Sequence, residues 1–298
     1  MKIVLSRKGF DASLGGCASP ILEDGRLLSL PIPEQRAPIT FDDIRHDGAS
    51  PAQLVADLTR GRWSGSMAAH LDPDLRADAL PREAGWRPMF GQADAAQRHL
   101  ARRGVGPGDL FLFFGWFREV ERRAGRYRYV PRAPDAHVLF GWLRVGEVWH
   151  VDRRLRRQAP SWARSHPHVA ADLGPTSFLY VAADGEDGEP DAGVFPTLVD
   201  ELILTARAET RRHWRLPGWF HPEDRPSALS YHGRAWRWER RGRHVLLTTV
   251  GRGQEFVLDA ADYPEADDWA RNLIAVGASQ GRPGSTGRPG LPPEFPRA

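Results

Sequence analysis

Two long apolar runs in the middle of the chain predict its strongest strands. Residues 110–117 read LFLFFGWF and residues 137–149 read HVLFGWLRVGEVW, and neither run has a helical period. The segment between them is polar and rich in arginine. We therefore expect neighbouring antiparallel strands of one sheet, joined by a long exposed connection. The Gly-Trp pair inside each run favours tight core packing, and the alternative is a bulge at which a ligand approaches the backbone.

Shorter apolar runs predict further strands. KIVLS follows the initial methionine, TSFLYVA ends at Ala182, and HVLLTTV and EFVLDA lie towards the end of the chain. Runs of this length, bounded by Gly, Pro and polar residues, are typical of strands. Since GRGQ separates the last two runs, they predict a β-hairpin around that loop.

Three segments have the start and stop signals of helices. SPAQLVADLTRG has Ser50 as its N-cap and Pro51 at the first helical position, and ADAAQRHLARRG ends at Gly104. PEADDWARNLIAVG predicts a third helix that starts near Pro264.

These elements predict an α+β fold. We expect a mixed, strand-rich single domain with a central, mostly antiparallel sheet flanked by helices, spanning residues 1–277. The two central runs are also faintly similar to strand pairs in small barrels of the PUA and EVE class, so a small PUA-like barrel substructure is an option. Residues 278–298 are rich in Gly and Pro without an apolar period, and we expect a disordered tail there.

The composition excludes several classes of protein. With 41% hydrophobic and 27% charged residues the chain is ordinary globular material. It has no apolar run near the roughly 20 residues that cross a bilayer and no signal-peptide pattern, so we expect a cytoplasmic protein without a membrane partner. Its single cysteine, Cys17, excludes an internal disulfide and a cysteine-based zinc cluster. The absence of Walker, Gly-x-Gly-x-x-Gly, Gly-x-Ser-x-Gly and His-Glu-x-x-His motifs disfavours P-loop enzymes, dehydrogenases and zincins.

The basic residues are almost all arginine. Only two of the 41 are lysines, Lys2 and Lys8, and this bias indicates a bacterial protein. The formal charge of +3 permits a polyanionic partner without requiring one. The densest basic stretches, residues 117–132 and 151–168, are solvated faces or phosphate-contacting strips.

The first candidate for chemistry is SRKGFD, where the first strand ends. Arg7 and Lys8 place two cations before a glycine-rich loop, and Asp11 follows them. Lys8 could neutralise a phosphate or act as an acid or base, with Asp11 orienting it, because a lysine can be titrated where an arginine cannot. The alternative is an exposed basic loop held by a local ion pair.

The second candidate is HLDPDL. In an extended chain His70, Asp72 and Asp74 would share one face and could ligate a metal. Pro73 favours another interpretation, in which DPDLRADAL starts a helix that Asp72 caps. A metal-dependent hydrolase that uses His70 and Asp74 with His168 is a further alternative.

The third and fourth candidates are GRGQEFVLD and the aromatic residues. Arg252 lies between two glycines and could approach a phosphate, while Gln254 and Glu255 offer hydrogen bonds to a base or sugar. A simple hairpin loop is the alternative. Trp116 and Trp214 belong to a set of 11 tryptophans that could stack on unpaired bases or form the core.

Several long motifs together resemble the nucleotide modification associated domain 3 family, from Met1 to about Ala275. They include LSRKGFDASLGG, HLDPDL, GQADAAQRHL, GVGPGDLFLFFGWFR, HPHV, WRLPGWF and GRGQEFVLD. The resemblance implies a domain that processes or recognises modified nucleotides in DNA. The polar residues at matching positions are Arg7, Lys8, Asp11, Ser19, His70, Asp72, Asp74, Gln92, Asp109, Arg118, His166, His168, Arg252, Gln254 and Glu255. Cys17 departs from the small aliphatic residue expected in the family's loop, which disfavours a cysteine nucleophile.

We therefore predict an enzyme that modifies nucleotides or DNA bases, with a nucleotide or nucleic acid as its partner. Its pocket would combine the SRKGFD, HLDPD and GRGQE segments, with Lys8, Asp11, His70 and Glu255 as catalytic residues. The predicted substrate-binding residues are Arg7, Ser19, Asp72, Asp74, Gln92, Trp116, Arg118, His168, Trp214, Arg252 and Gln254. No metal is expected in this site, and the sequence identifies neither a cofactor nor an oligomeric state. The alternative is a non-catalytic reader of modified bases, similar to PUA and EVE domains.

Overall fold

The computed structural model describes residues 1–47, 50–185, 191–223, 225–251 and 253–279. Its strands are β1 (Lys2–Arg7), β2 (Ser19–Ile21), β3 (Ile32–Pro33), β4 (Ala69–His70), β5 (Met89–Gln92), β6 (Leu110–Arg123), β7 (Arg126–Tyr129), β8 (Ala136–His150), β9 (Phe178–Ala182), β10 (Ala192–Val194), β11 (His213–Pro217), β12 (Trp238–Arg241), β13 (His244–Thr248) and β14 (Glu255–Asp259). Its helices are α1 (Ala52–Leu58), α2 (Asp94–Arg102), α3 (Arg153–Gln158), α4 (Pro167–Ala170) and α5 (Glu265–Ser279), and short 3-10 turns cover Ala77–Ala79, Ser161–Ala163, Asp200–Leu202, Gly218–Phe220 and Ala235–Arg237.

One large mixed sheet organises the fold. Its main strand order is β14-β1-β6-β8-β9-β5, with β10 paired to β8 and with β2 and β7 paired to β6. The β1–β6 and β2–β6 pairings are parallel, and the other pairings in this sheet are antiparallel. The predicted strand-rich α+β domain with a mostly antiparallel central sheet is therefore confirmed. The described residues form no closed barrel, so the suggestion of a PUA-like barrel substructure is wrong. The main sheet is open, with β14 and β5 at its two edges.

The two long apolar runs form the centre of this sheet, as predicted. Strands β6 and β8 pair antiparallel, with a shift of register between Phe113 and Phe114. Every side chain from Leu110 to Phe114 is buried, because both faces of β6 are covered. Gly115 favours close packing, since a Cβ there would lie 2.9 Å from the carbonyl oxygen of Lys8. The prediction of a long exposed connection between these two strands is wrong in part, because β6 continues to Arg123 and turns directly into β7.

The predicted hairpin between HVLLTTV and EFVLDA is wrong. Strand β13 is the middle strand of a separate three-stranded sheet, β11-β13-β12, and its hairpin partner is β12. Strand β14 instead pairs antiparallel with β1, so Glu255 lies opposite Ser6. The physical reason is that β1 would otherwise leave one edge without hydrogen bonds, and β14 covers it.

The helix predicted from Asp72 is also wrong. Asp72 is followed by a cis peptide bond to Pro73, and Asp74 continues as extended chain that exchanges two backbone hydrogen bonds of 2.9 Å with Met89. The other predicted helices are present. Ser50 accepts a 3.1 Å hydrogen bond from the amide of Ala52, where α1 begins, and α5 begins next to Pro264. None of the helices in the described ranges is long and apolar enough to cross a bilayer.

Two histidines packed in the core region are neutral groups, His232 fully buried and His137 partly buried. His137 accepts a 3.0 Å hydrogen bond from the indole of Trp214, and burial lowers its pKa from 6.5 to about 3. His232 lies 2.8 Å from the carbonyl oxygen of Ser230, and burial lowers its pKa to about 4. Both imidazoles are therefore neutral at pH 7.

Acidification should destabilise the protein through these histidines. Below pH 6.5 the unfolded chain takes up protons that the folded state rejects, so stability falls as the pH drops from about 6.5 towards 4. The free energy of unfolding at pH 5 should be lower than at pH 8 by about 2 kcal/mol for each of these histidines. Urea unfolding at both pH values measures this loss. A His137→Gln variant, which retains a hydrogen-bond acceptor, should lose about 2 kcal/mol less between the two pH values, and an unchanged pH dependence would contradict the assignment.

Candidate functional site

An open cleft lies where β5, the end of β4 and the start of β14 meet the first turn of α2. Its volume of about 630 Å³ is within the usual range for small-molecule sites. Its wall includes His70, Gln92, His168, Gln254 and Glu255, which come from distant parts of the sequence. The cleft therefore brings the HLDPD and GRGQE segments to one place.

Glu255 lines one side of this cleft and forms a lysine–glutamate group with Lys8. Since side chains alternate along a strand, Ser6 and Lys8 point to the same face of the sheet. Glu255, which pairs opposite Ser6, accepts three hydrogen bonds on Oε1: from the Ser6 hydroxyl at 3.1 Å, from Lys8 Nζ at 3.1 Å and from Gln92 Nε2 at 2.5 Å. Nζ of Lys8 also lies 4.4 Å from the ring centroid of Phe90.

This ion pair is largely withdrawn from solvent. The side chain of Glu255 is 1% exposed and that of Lys8 is 10% exposed. Oε2 of Glu255 is buried and has no hydrogen-bond partner among the described residues. Burying a charged pair is costly unless its remaining hydrogen bonds are made, so this oxygen is left with an unmet hydrogen bond.

His70 and His168 line the neighbouring side of the cleft and form a histidine–carboxylate group with Asp72. Oδ2 of Asp72 lies 3.8 Å from Nε2 of His70 and 3.8 Å from Nε2 of His168. Oδ1 of Asp72 accepts a 2.7 Å hydrogen bond from the amide of Gly91 and lies 3.3 Å from Nε2 of His166. Within the described ranges, His70, Asp72 and His168 are the group whose donor atoms lie within 4.8 Å of one another and could hold a metal ion.

The charges of this group follow from burial and proximity. Burial lowers the pKa of His168 from 6.5 to about 3, against the opposing effect of the Asp72 carboxylate. Burial alone would raise the pKa of the Asp72 carboxyl, but the imidazoles of His166 and His70 hold it well below its usual range. At pH 7 the group therefore presents an ionised carboxylate beside a neutral His168.

Gly91 makes room for His168. An added Cβ at this position in β5 would lie 2.2 Å from Cδ2 of the His168 ring. The ring is held from its other side, where Nδ1 lies 3.0 Å from the hydroxyl of Ser177. Gly91 and Ser177 were not among the predicted site residues, although a lone glycine inside a strand signals a close approach.

Several predicted residues lie away from the cleft. Asp11 accepts three 2.7 Å hydrogen bonds from Ser13 and Leu14 and so closes its own turn. The hydroxyl of Ser19 accepts a 3.1 Å bond from the amide of Leu30. Each of these side chains is used by the local fold.

Asp74 also has a structural partner. Its two oxygens accept hydrogen bonds of 2.6 and 2.8 Å from the guanidinium of Arg82. The alternative of a metal site built from His70, Asp74 and His168 is therefore wrong in its carboxylate, because Asp72 faces the two histidines.

The predicted arginines and tryptophans are dispersed. Arg7 contributes its charge to the surroundings of His137, on the face of β1 opposite Lys8. Trp214 is fully buried in the core, and Arg211 covers the ring of Trp116 at 3.9 Å. Arg118 lies over the ring of Tyr129 at 5.4 Å. Arg252 lies outside the described residues, as do residues 280–298 of the predicted tail.

Comparison with known proteins agrees with the resemblance noted in the motifs. A family model described as nucleotide modification associated domain 3 matches residues 2–259, which include both sides of the cleft. No curated protein and no solved structure matches the chain. The family name associates the domain with nucleotide modification. The match spans most of the chain, which therefore belongs to the nucleotide modification associated domain 3 family.

Proposed function

We propose that the protein is an enzyme that modifies a nucleotide or a nucleic-acid base, and that the reaction takes place in this cleft. The observation that carries the proposal is that members of two buried ionic groups line one open cleft: Glu255, which pairs with Lys8, and His70 and His168, which lie beside Asp72. A fold gains little stability from burying such charges, whereas active sites require them.

The lysine–glutamate group is suited to proton transfer and substrate binding. Lys8 can donate a proton or stabilise negative charge, and Glu255 can accept a proton on its unpartnered oxygen. Gln92 and Gln254 lie on the same wall and can form hydrogen bonds with a base edge.

One observation favours the reader function as a second candidate. The ring of Tyr231 is 48% exposed at the rim of the cleft and stacks on His99 with 4.3 Å between ring centroids. An exposed ring in this position could stack on a flipped or unpaired base. The same ring would serve an enzyme equally well, so activity has to separate the two candidates.

Substitution of the lysine–glutamate group should abolish turnover. We expect Lys8→Met and Glu255→Gln each to lower activity at least about 100-fold, because each removes a proton-transferring group. Activity is measured as the change in nucleoside composition, by mass spectrometry of DNA and nucleotide pools incubated with each variant. Lys2→Met is the matched control, since it makes the same change in the same strand at the end far from the cleft.

The outcomes separate the candidates. Turnover by wild type and by Lys2→Met, with loss in the two cleft variants, supports the proposal. Wild-type activity in both cleft variants would remove the lysine–glutamate group from the mechanism. Tighter binding of modified than of plain oligonucleotides at matched salt, without any change in nucleosides, would establish the reader instead.

A further inference from the structure

We infer that His70, Asp72 and His168 bind a single divalent transition-metal ion in the cleft. The sequence favoured a site without metal, but the geometry points the other way. The inference goes beyond the proposed function, because Lys8 and Glu255 could act on a substrate whether or not an ion is bound beside them.

The orientation of Asp72 is the first argument. Its Oδ1 is held by the amide of Gly91 and faces His166, so Oδ2 is left directed between two imidazoles. Both Nε2 atoms lie 3.8 Å from Oδ2, which is too long for a hydrogen bond. Three donor atoms therefore surround one point without bonding to one another.

The spacing suits an ion after a small contraction. Metal–ligand bonds of about 2.1 Å place tetrahedral donor atoms about 3.4 Å apart. The two 3.8 Å distances from Asp72 Oδ2 to the histidine Nε2 atoms must shorten by a few tenths of an ångström. All three donor atoms already lie within 4.8 Å of one another. Rotation of the His70 side chain, which is 14% exposed at the cleft, can supply the remaining movement.

Groups outside the donor set orient it. Nδ1 of His168 lies 3.0 Å from the hydroxyl of Ser177, which leaves Nε2 to face Asp72. The glycine at position 91 supplies both the amide that holds Asp72 and the space that His168 fills. Metal-binding histidines and carboxylates are typically held by partners of this kind.

The donor chemistry selects the class of ion. Two imidazoles and one carboxylate suit Fe²⁺, Co²⁺, Ni²⁺ or Zn²⁺, whereas Mg²⁺ and Ca²⁺ prefer oxygen ligands. Three protein ligands leave at least one coordination position for water or substrate, as in catalytic sites. His70 and His168 line the same cleft as Glu255, so that position faces the proposed substrate site.

Titration of tag-free, chelator-treated protein with Co²⁺ tests the inference. We expect one Co²⁺ per chain by calorimetry and a visible absorption band of a nitrogen- and oxygen-ligated ion. His70→Ala and Asp72→Asn should each weaken Co²⁺ binding by about 100-fold or more. His150→Ala, which removes an exposed histidine bonded to the carbonyl of Pro175, should leave the affinity unchanged.

The result does not depend on turnover. Circular dichroism identifies any variant that fails to fold, and His70→Gln at the edge of the cleft is the second variant, expected to fold and to lose Co²⁺ binding. Absence of stoichiometric Co²⁺ binding by the wild type, or unchanged affinity in folded His70 and Asp72 variants, would overturn the inference. Because no nucleotide is present, this failure is distinct from failure of the nucleoside assay.

Discussion

Replacing Gly91 with alanine should displace the His168 imidazole and weaken Co²⁺ binding by about 10- to 100-fold. The new Cβ would lie 2.2 Å from Cδ2 and 2.4 Å from Cγ of His168. His168 is buried between Asp72 and Ser177, so its ring cannot move without losing its 3.0 Å contact with the Ser177 hydroxyl. Overpacking of this kind should also lower the free energy of unfolding by about 1–3 kcal/mol.

The matched control for this prediction is Gly106→Ala. A Cβ at position 106 would meet no atom within 4 Å, and the backbone there does not require a glycine. The control should bind Co²⁺ as the wild type does and change stability by less than about 0.5 kcal/mol. Urea unfolding and Co²⁺ titration of both variants provide the measurement. If Gly91→Ala kept wild-type affinity, the proposed role of His168 as a ligand would be wrong.

Replacing Arg82 with methionine should destabilise the fold by about 3–5 kcal/mol. The side chain of Arg82 holds both oxygens of Asp74, which is 3% exposed, and packs over the ring of Trp86 at 4.1 Å. Burial raises the pKa of the Asp74 carboxyl, and the arginine opposes that shift. Without Arg82 the carboxylate is buried and unpaired, so it must be desolvated or take up a proton.

Two controls separate this effect from the loss of an ordinary ion pair. Arg271→Met removes a 61% exposed arginine that pairs with Asp267 and Asp268, and it should leave the stability close to that of the wild type, because exposed ion pairs contribute little. Adding Asp74→Leu to Arg82→Met should recover part of the lost stability, because no buried charge then remains. A single Arg82 variant within 1 kcal/mol of wild type in urea unfolding would contradict the structural role of the pair.

The strands of the sheet could be predicted where one stretch of sequence contained the whole signal. The run LFLFFGWF is apolar on both faces, and only the interior of a sheet satisfies that pattern. Helix α2 could be predicted equally well, because its run of alanines and a leucine is followed by Gly104, which has a φ of +63° and ends the helix. Both signals are local.

Two of the wrong predictions concern places where distant residues decide the structure. HVLLTTV and EFVLDA are adjacent in sequence, yet β14 pairs with β1, which lies about 250 residues earlier. The prediction of a helix after Asp72 rested on local capping rules. In the structure, Asp74 forms backbone hydrogen bonds with Met89 and a side-chain pair with Arg82, and together these outweigh the capping preference.

Residue types and their local context were enough to identify the groups that could do chemistry. Lys8 stood out as a lysine among arginines, Glu255 as a charge at the start of a strand, and His70 and Asp72 as neighbours in a short motif. Which of these groups meet could be seen only in the folded protein: Glu255 joins Lys8 through the β1–β14 pairing, while Asp72 joins His168 beside Gly91. The physical reason is that residue type sets charge and donor atoms, whereas contacts between residues far apart in sequence depend on strand pairing and on space left by a missing side chain.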